Sequence, residues 1–133
     1  MALILNIETS TRVCSVGIAK DGKILSFRES DDDKSHARLL NLFIQELLEE
    51  QNIEFNDFDA IAVSKGPGSY TGLRIGVSTA KGFCYAKDLP LIAINTLQSM
   101  ANGIVEKVQI KELSIENPEN TIQTSELRSG VYF

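Results

Sequence analysis

The sequence predicts an α/β fold in which a three-strand antiparallel meander is followed by strand–helix crossovers. Three observations carry this. Asp21-Gly22 separates two runs of strand character and is a strong two-residue hairpin signal. His36 to Gln51 repeats its apolar residues at helical spacing. Two short apolar runs, Ala60–Val63 and Leu91–Ile94, flank a second helical stretch, as parallel strands joined by a crossover should.

In chain order, Ala2 to Ile7 is an apolar run expected to be a buried strand, and Glu8-Thr9-Ser10-Thr11 turns the chain. Val13 to Ala19 is the second strand, with Cys14, Val16 and Ile18 on one face, and the hairpin leads to Lys23–Glu29. The acidic run Asp31-Asp32-Asp33 reads as a solvated loop entering a helix, with a cation site as the alternative. Ser35 is placed to cap that helix. Its residues Leu39, Leu40, Phe43, Ile44, Leu47 and Leu48 cover about half the circumference, with Leu42 apart, whereas one sheet contact needs an arc of roughly 100°. The surplus points to a partner surface.

Asn52 to Asp59 reads as a loop, Ala60–Val63 as a strand, and the next helix as running to about Ala86 before Asp88-Leu89-Pro90 ends it. Leu91–Ile94 is the last strand, and Thr96 starts a helix through about Asn102. A meander followed by helix, strand, helix, strand, helix is a ribonuclease-H-like unit, which is also the first half of the actin-like ATPase (ASKHA) fold. Residues 1–102 are therefore assigned to this domain. Residues 103–133 form a poorly defined tail, read as the start of an incomplete second lobe, with one further strand possible over Val105–Leu113.

The 133 residues suit one domain with its own core. A net charge of −5 disfavours a nucleic-acid surface, so contact with RNA is expected only through a partner. Cys14 and Cys84 are isolated, as in a reducing compartment. Asn6 and Glu8 interrupt the first apolar run too early for a secretory signal, and no run is long enough to span a membrane, so a cytoplasmic protein is expected.

The most distinctive stretch is Lys65-Gly66-Pro67-Gly68-Ser69-Tyr70-Thr71-Gly72-Leu73-Arg74-Ile75-Gly76. Its glycines and proline shape a strand-to-helix corner, with Ser69 or Thr71 able to cap the helix. A helix start attracts anions, but the spacing fits neither a Walker loop nor the dinucleotide fingerprint. A rigid corner is the preferred reading over a phosphate site. Along the helix, Arg74, Ser78, Lys81 and Tyr85 fall on one narrow polar side, while Gly72, Gly76, Thr79 and Ala80 make a stripe of small residues ending at Phe83. Each interior glycine costs about 1 kcal/mol against alanine, so another backbone should approach closely. That backbone belongs either to the protein's own sheet or to a helix of a second chain.

Together with Ile7-Glu8-Thr9-Ser10 and Ile94-Asn95-Thr96-Leu97, this run resembles the TsaB (YeaZ) family over about residues 2 to 102. The resemblance implies a non-catalytic scaffold for threonylcarbamoylation of tRNA, pairing with the related enzyme TsaD and, through the complex, with the ATPase TsaE. It implies no cofactor of its own, nucleotide entering only through the partner complex, contact with tRNA only indirectly, and homodimers when TsaD is absent. The interface would use the two helices, with His36, Leu40, Phe43, Gly72, Gly76, Thr79, Ala80 and Phe83 as its residues. The tail departs from the family, whose second half opens on a motif similar to Asp-Ala-Arg-Arg-x-Glu-Val-Tyr. Here only Arg128, Val131 and Tyr132 match it.

Two enzyme readings stand beside the scaffold. A TsaD-like metal-dependent transferase or glycoprotease homologue would need a histidine pair, which the resemblance places at Thr96 and Met100, neither of which can replace an imidazole. His36, the one histidine, lies on another helix and reads as an interface or helix-start residue. A degenerate actin-like nucleotide-binding domain would use Glu8 to hold a Mg²⁺-bound water, with Thr9 and Ser10 near phosphate, although Glu8 could instead simply cap the strand turn. A nucleophile with a base and an orienting group is not recognisable.

Overall fold

The computed structural model describes residues 2–32 and 36–105. Its elements are β1 (Leu3–Glu8), β2 (Cys14–Lys20), β3 (Lys23–Ser30), α1 (His36–Gln51), a 3₁₀ turn (Phe55–Asp57), β4 (Ala60–Gly66), α2 (Tyr70–Lys87) and β5 (Leu91–Asn95). A further helix, α3, covers residues 96–105. The 3₁₀ turn falls where the sequence indicates only a loop. The Ser35 cap, the tail beyond residue 105 and the strand proposed there lie outside the described residues. The compact unit ends at Thr96, and a second unit begins at Leu97.

One five-stranded sheet runs β3-β2-β1-β4-β5. β2 pairs antiparallel with β1 and β3, while β4 is parallel to β1 and β5. This is the expected ribonuclease-H-like order. The hairpin forms because Asp21 and Gly22 both take positive φ, 52° and 81°, as the tight turn between twisted strands requires. Asp21 also ties the turn to β1, its N–H donating to Ala2 O and its carboxylate accepting from Ala2 N, each at 2.9 Å.

α1 lies on β2 and β3, α2 on β4 and β1, and the two helices touch each other. Alternation along the strands turns Leu5 and Ile7, Val16 and Ile18, and Ile61 and Val63 into the core, where they meet Leu40, Ile44, Leu47 and Ala80. Each fully buried aliphatic side chain contributes about 1.5–3 kcal/mol of transfer free energy. Burial pushes the Cys14 thiol up to about 11, so it remains a protonated, inert core residue at neutral pH.

The wide apolar arc of α1 is spent within the chain. Leu40, Phe43, Ile44 and Leu47 are buried, Leu39 and Leu48 pack against them, and Leu42 alone of the α1 leucines points outward at 43% exposure. Leu40 and Phe43 are therefore core residues rather than interface residues. Phe83 stacks on Phe55 with ring centroids 4.4 Å apart, and Phe58 meets Phe55 edge-on at 6.1 Å. The 3₁₀ turn thus supplies the partner for Phe83 that the sequence reading sought in a second chain. α2 ends at Asp88, whose φ of 53° lets its N–H close on Cys84 O. Among the described residues, no helix is long and apolar enough to cross a membrane.

Candidate functional site

The Gly-Pro-Gly corner joins β4 to α2 against the turn after β1. Gly66 has φ of 119° and precedes a cis peptide to Pro67. Ser69 caps α2, its hydroxyl accepting from Gly72 N at 3.3 Å, while its own N–H donates to Ser10 O at 2.7 Å. Gly68 is there because a Cβ would sit 2.5 Å from Ser10 O. The corner is consequently filled by the chain's own backbone, in keeping with a rigid joint.

The small-residue stripe faces the same turn. A Cβ on Gly72 would lie 2.1 Å from Thr9 O, and one on Gly76 the same distance from Thr9 Oγ1. The close approach demanded by these glycines is thus by the β1 turn of the same molecule. Gly72, Gly76 and Ala80 are buried within the chain, as is His36 at the start of α1. His36 donates from Nε2 to Thr11 O at 3.0 Å, which fixes the helix start to the same turn and makes it a structural residue. Of the expected interface residues, Thr79 lines a groove between the helices.

Glu8, Thr9 and Ser10 lie at the carboxyl end of β1, but their polar atoms turn inward. Thr9, 1% exposed, donates from Oγ1 to Gly72 O at 2.6 Å. The Glu8 carboxylate accepts from Ser10 N at 2.8 Å, and also from the hydroxyls of Ser10 and Ser64. These bonds fasten β1 to its turn, to β4 and to α2. Replacing Thr9 with Val should remove the Thr9–Gly72 bond while keeping the side-chain shape. The expected loss is about 1–2 kcal/mol, read as a lower urea midpoint with an unchanged m value. An unshifted midpoint would show that the bond contributes nothing to the joint.

Charged groups beyond the turn pair on the surface. Arg12 grips Asp31 through two bonds of 2.6 and 2.7 Å, and these hold the Asp31 carboxyl below its ordinary range. Asp31 is thereby occupied, which removes one ligand from the cation alternative for the acidic run. Glu50 is likewise lowered by bonds from Arg28 and Ser26.

A groove of about 380 Å³ opens between α1 and α2. Ala37 and Asn41 form one wall, and Thr71, Arg74, Ile75, Ser78 and Thr79 form the other. Most of these residues escape a hydrophobicity count because they are small or polar. The signal that could have found them is the narrow polar side of α2, which already contains Arg74 and Ser78. The sequence places Thr96 and Met100 one helical turn apart, but a hydroxyl and a thioether do not suit a site that needs imidazoles. Among the described residues, no group of three or more His, Cys, Asp or Glu side chains is placed to hold a metal ion.

Comparison with known proteins bears on the whole domain. A family model described as TsaD, tRNA N6-adenosine threonylcarbamoyltransferase, matches residues 28–121. The tRNA threonylcarbamoyladenosine biosynthesis protein TsaB of Escherichia coli is 36% identical over 104 residues, covering 78% of this chain and 45% of TsaB. The TsaB of Haemophilus influenzae is 32% identical over 131 residues, covering 98% of this chain and 52% of its own length. The solved structure of YeaZ from Pseudomonas aeruginosa superposes with a TM-score of 0.72 at 32% identity, covering 77% of this chain and 47% of YeaZ. The chain spans about half the length of the curated relatives it matches. With the family model covering more than half of its residues, and TsaB and YeaZ matching it in sequence and in fold, the chain belongs to the TsaD family and, within it, to the TsaB (YeaZ) group.

Proposed function

We propose that this chain is a non-catalytic subunit in the formation of tRNA threonylcarbamoyladenosine, and that it supports TsaD by docking through the exposed flanks of α1 and α2. The observation that carries the docking surface is the α1–α2 groove, an open channel lined by both helices beside the faces they bury in the chain's own core. The names of the TsaB relatives support the pathway. In the same reading, two copies pair through this face when TsaD is absent, TsaE joins only through the complex, and contact with nucleotide and tRNA is made by the partners. The complex acts in the cytoplasm.

The non-catalytic assignment is supported by Thr96 and Met100 at the positions where the resemblance expects histidines, and by His36 being tied to Thr11 O. A second reading, a transferase in its own right, is favoured by the description of the matching family model. It requires the purified chain to modify tRNA without TsaD. The scaffold requires stimulation of TsaD and no turnover by the chain alone.

Replacing Ser78 with Trp tests the face without disturbing the core, because Ser78 is exposed and lines the groove. We expect the variant to keep its melting temperature to within a few degrees, since surface substitutions usually change stability by only about ±0.5 kcal/mol. Co-purification with TsaD should fall at least about tenfold, as one blocked central contact often costs more than 1 kcal/mol. Retention of TsaD at the original level would rule the groove out as the docking surface.

A further inference from the structure

The outward side of α2 carries a charge pattern opposite to that of the molecule. The chain has a net charge of −5, yet the sequence of α2 from Tyr70 to Lys87 contains Arg74, Lys81 and Lys87 and not one carboxylate. At 100° per residue, Tyr70, Arg74, Lys81 and Tyr85 fall within one narrow strip, across the helix from the buried Gly72 and Gly76. The strip is open, with Tyr70 74% and Tyr85 93% exposed and both Arg74 and Lys81 at the surface.

Arg74 does not find its counter-charge in the described residues. Its guanidinium lies 5.5 Å from the Tyr70 ring centroid, and among the described residues no carboxylate comes within ion-pair distance of Arg74 or Lys81. Across the groove, α1 presents Ala37 and Asn41, which bring no negative charge. The acids farther along α1 are engaged elsewhere, Glu46 and Glu50 with Arg28 and Glu49 with Gln45. A planar cation supported by one exposed tyrosine, with a second cation and a second tyrosine along the same line, is the composition of an interface hot spot. What it lacks is negative charge from outside.

We infer that this strip receives an acidic face of the partner protein, with carboxylates opposite Arg74 and Lys81 and apolar side chains against Tyr70 and Tyr85. The inference rests on the docking reading above and assigns the chemistry of the partner's surface. A protein partner is favoured over RNA because two cations in a chain of net negative charge give a short electrostatic track, whereas RNA affinity is built from many phosphate contacts. The tyrosines suit both ligands, so the charge count decides between them.

The test measures binding of the whole chain to a TsaD-family transferase from the same organism at about 50 and about 300 mM salt, a range over which exposed charge pairs become screened. R74E/K81E should weaken binding by at least about tenfold at low salt and flatten the salt dependence, since like charges would now face each other. R74Q/K81Q should give a smaller loss, and substituting Lys for the facing carboxylates of the partner should restore binding to R74E/K81E. Both pairs are on the surface, and an unchanged circular dichroism spectrum and melting point confirm that they fold. Binding by the wild-type chain that ignores both salt and charge reversal overturns this inference and leaves the docking reading standing. Absence of wild-type binding overturns both. A gel shift of unmodified tRNA by the wild-type chain, lost in R74E/K81E while the protein complex is unaffected, overturns it in favour of RNA.

Discussion

Gly76→Leu is expected to destabilise the domain itself rather than merely dissociate it from a partner. A Cβ at this position would lie 2.1 Å from Thr9 Oγ1, well inside contact distance, before the rest of the leucine is placed. Thr9 cannot easily yield, because it is β-branched, 1% exposed and bonded to Gly72 O at 2.6 Å. Overpacking of this kind costs about 1–3 kcal/mol and sometimes more, and loss of the Thr9 bond adds about 1 kcal/mol. The helix-propensity gain from removing a glycine recovers only about 1 kcal/mol, so the clash decides the sign. With roughly 5–15 kcal/mol holding a domain of ordinary stability, a net loss near 3 kcal/mol should lower the melting temperature by roughly 10 °C or more. Thermal and urea unfolding followed by circular dichroism would measure it. A variant that melts like the parent but elutes as a smaller species would return Gly76 to a subunit interface, the outcome the sequence alone suggested.

Leu40→Ala should behave the same way for a different reason. Leu40 is fully buried among the core residues of the sheet and α1, and truncation leaves a cavity that neighbours refill only in part. The expected loss is about 2–5 kcal/mol, large enough to show as a fall in the urea midpoint. Leu42→Ala is the internal comparison, because Leu42 lies on the same helix but is 43% exposed and should lose far less. If L40A kept the parent midpoint while losing its partner, the assignment of this leucine to the core would be wrong.

These two residues show where sequence and structure diverge. The element order was legible because each signal is local. Asp21-Gly22 can hardly avoid a tight hairpin, His36 to Gln51 repeats its leucines with helical period, and both ends of α1 are where the pattern sets them. The corner at Gly66-Pro67-Gly68-Ser69 was legible for the same reason, and Ser69 does cap α2. The strand bounds shifted by a residue or more, as at β4, which continues to Gly66 because its pairing with β5 carries on past the apolar run.

The destination of each helix face was not legible. A glycine stripe states that a backbone comes close, but not whose, and here it is the turn after β1. An apolar arc wider than one sheet contact requires suggests a partner until the sheet and the neighbouring helix are seen to share it. Likewise Glu8, Thr9 and Ser10 have the composition of a ligand loop, and only their hydrogen bonds to Gly72 and Ser64 show them fastening the fold.

By itself, then, the sequence determined the fold class, the family likeness and the nature of the glycine-rich corner, all of which depend on neighbours in the chain. The tertiary structure alone decided which surfaces the described residues leave open, namely the groove edge at Asn41, Thr71 and Ser78 and the strip at Arg74 and Lys81 rather than the glycines. The reason is physical: exposure is a property of contacts between residues far apart in sequence, such as Thr9 and Gly76, and no local period or composition encodes which of two identical demands for close packing is met from within.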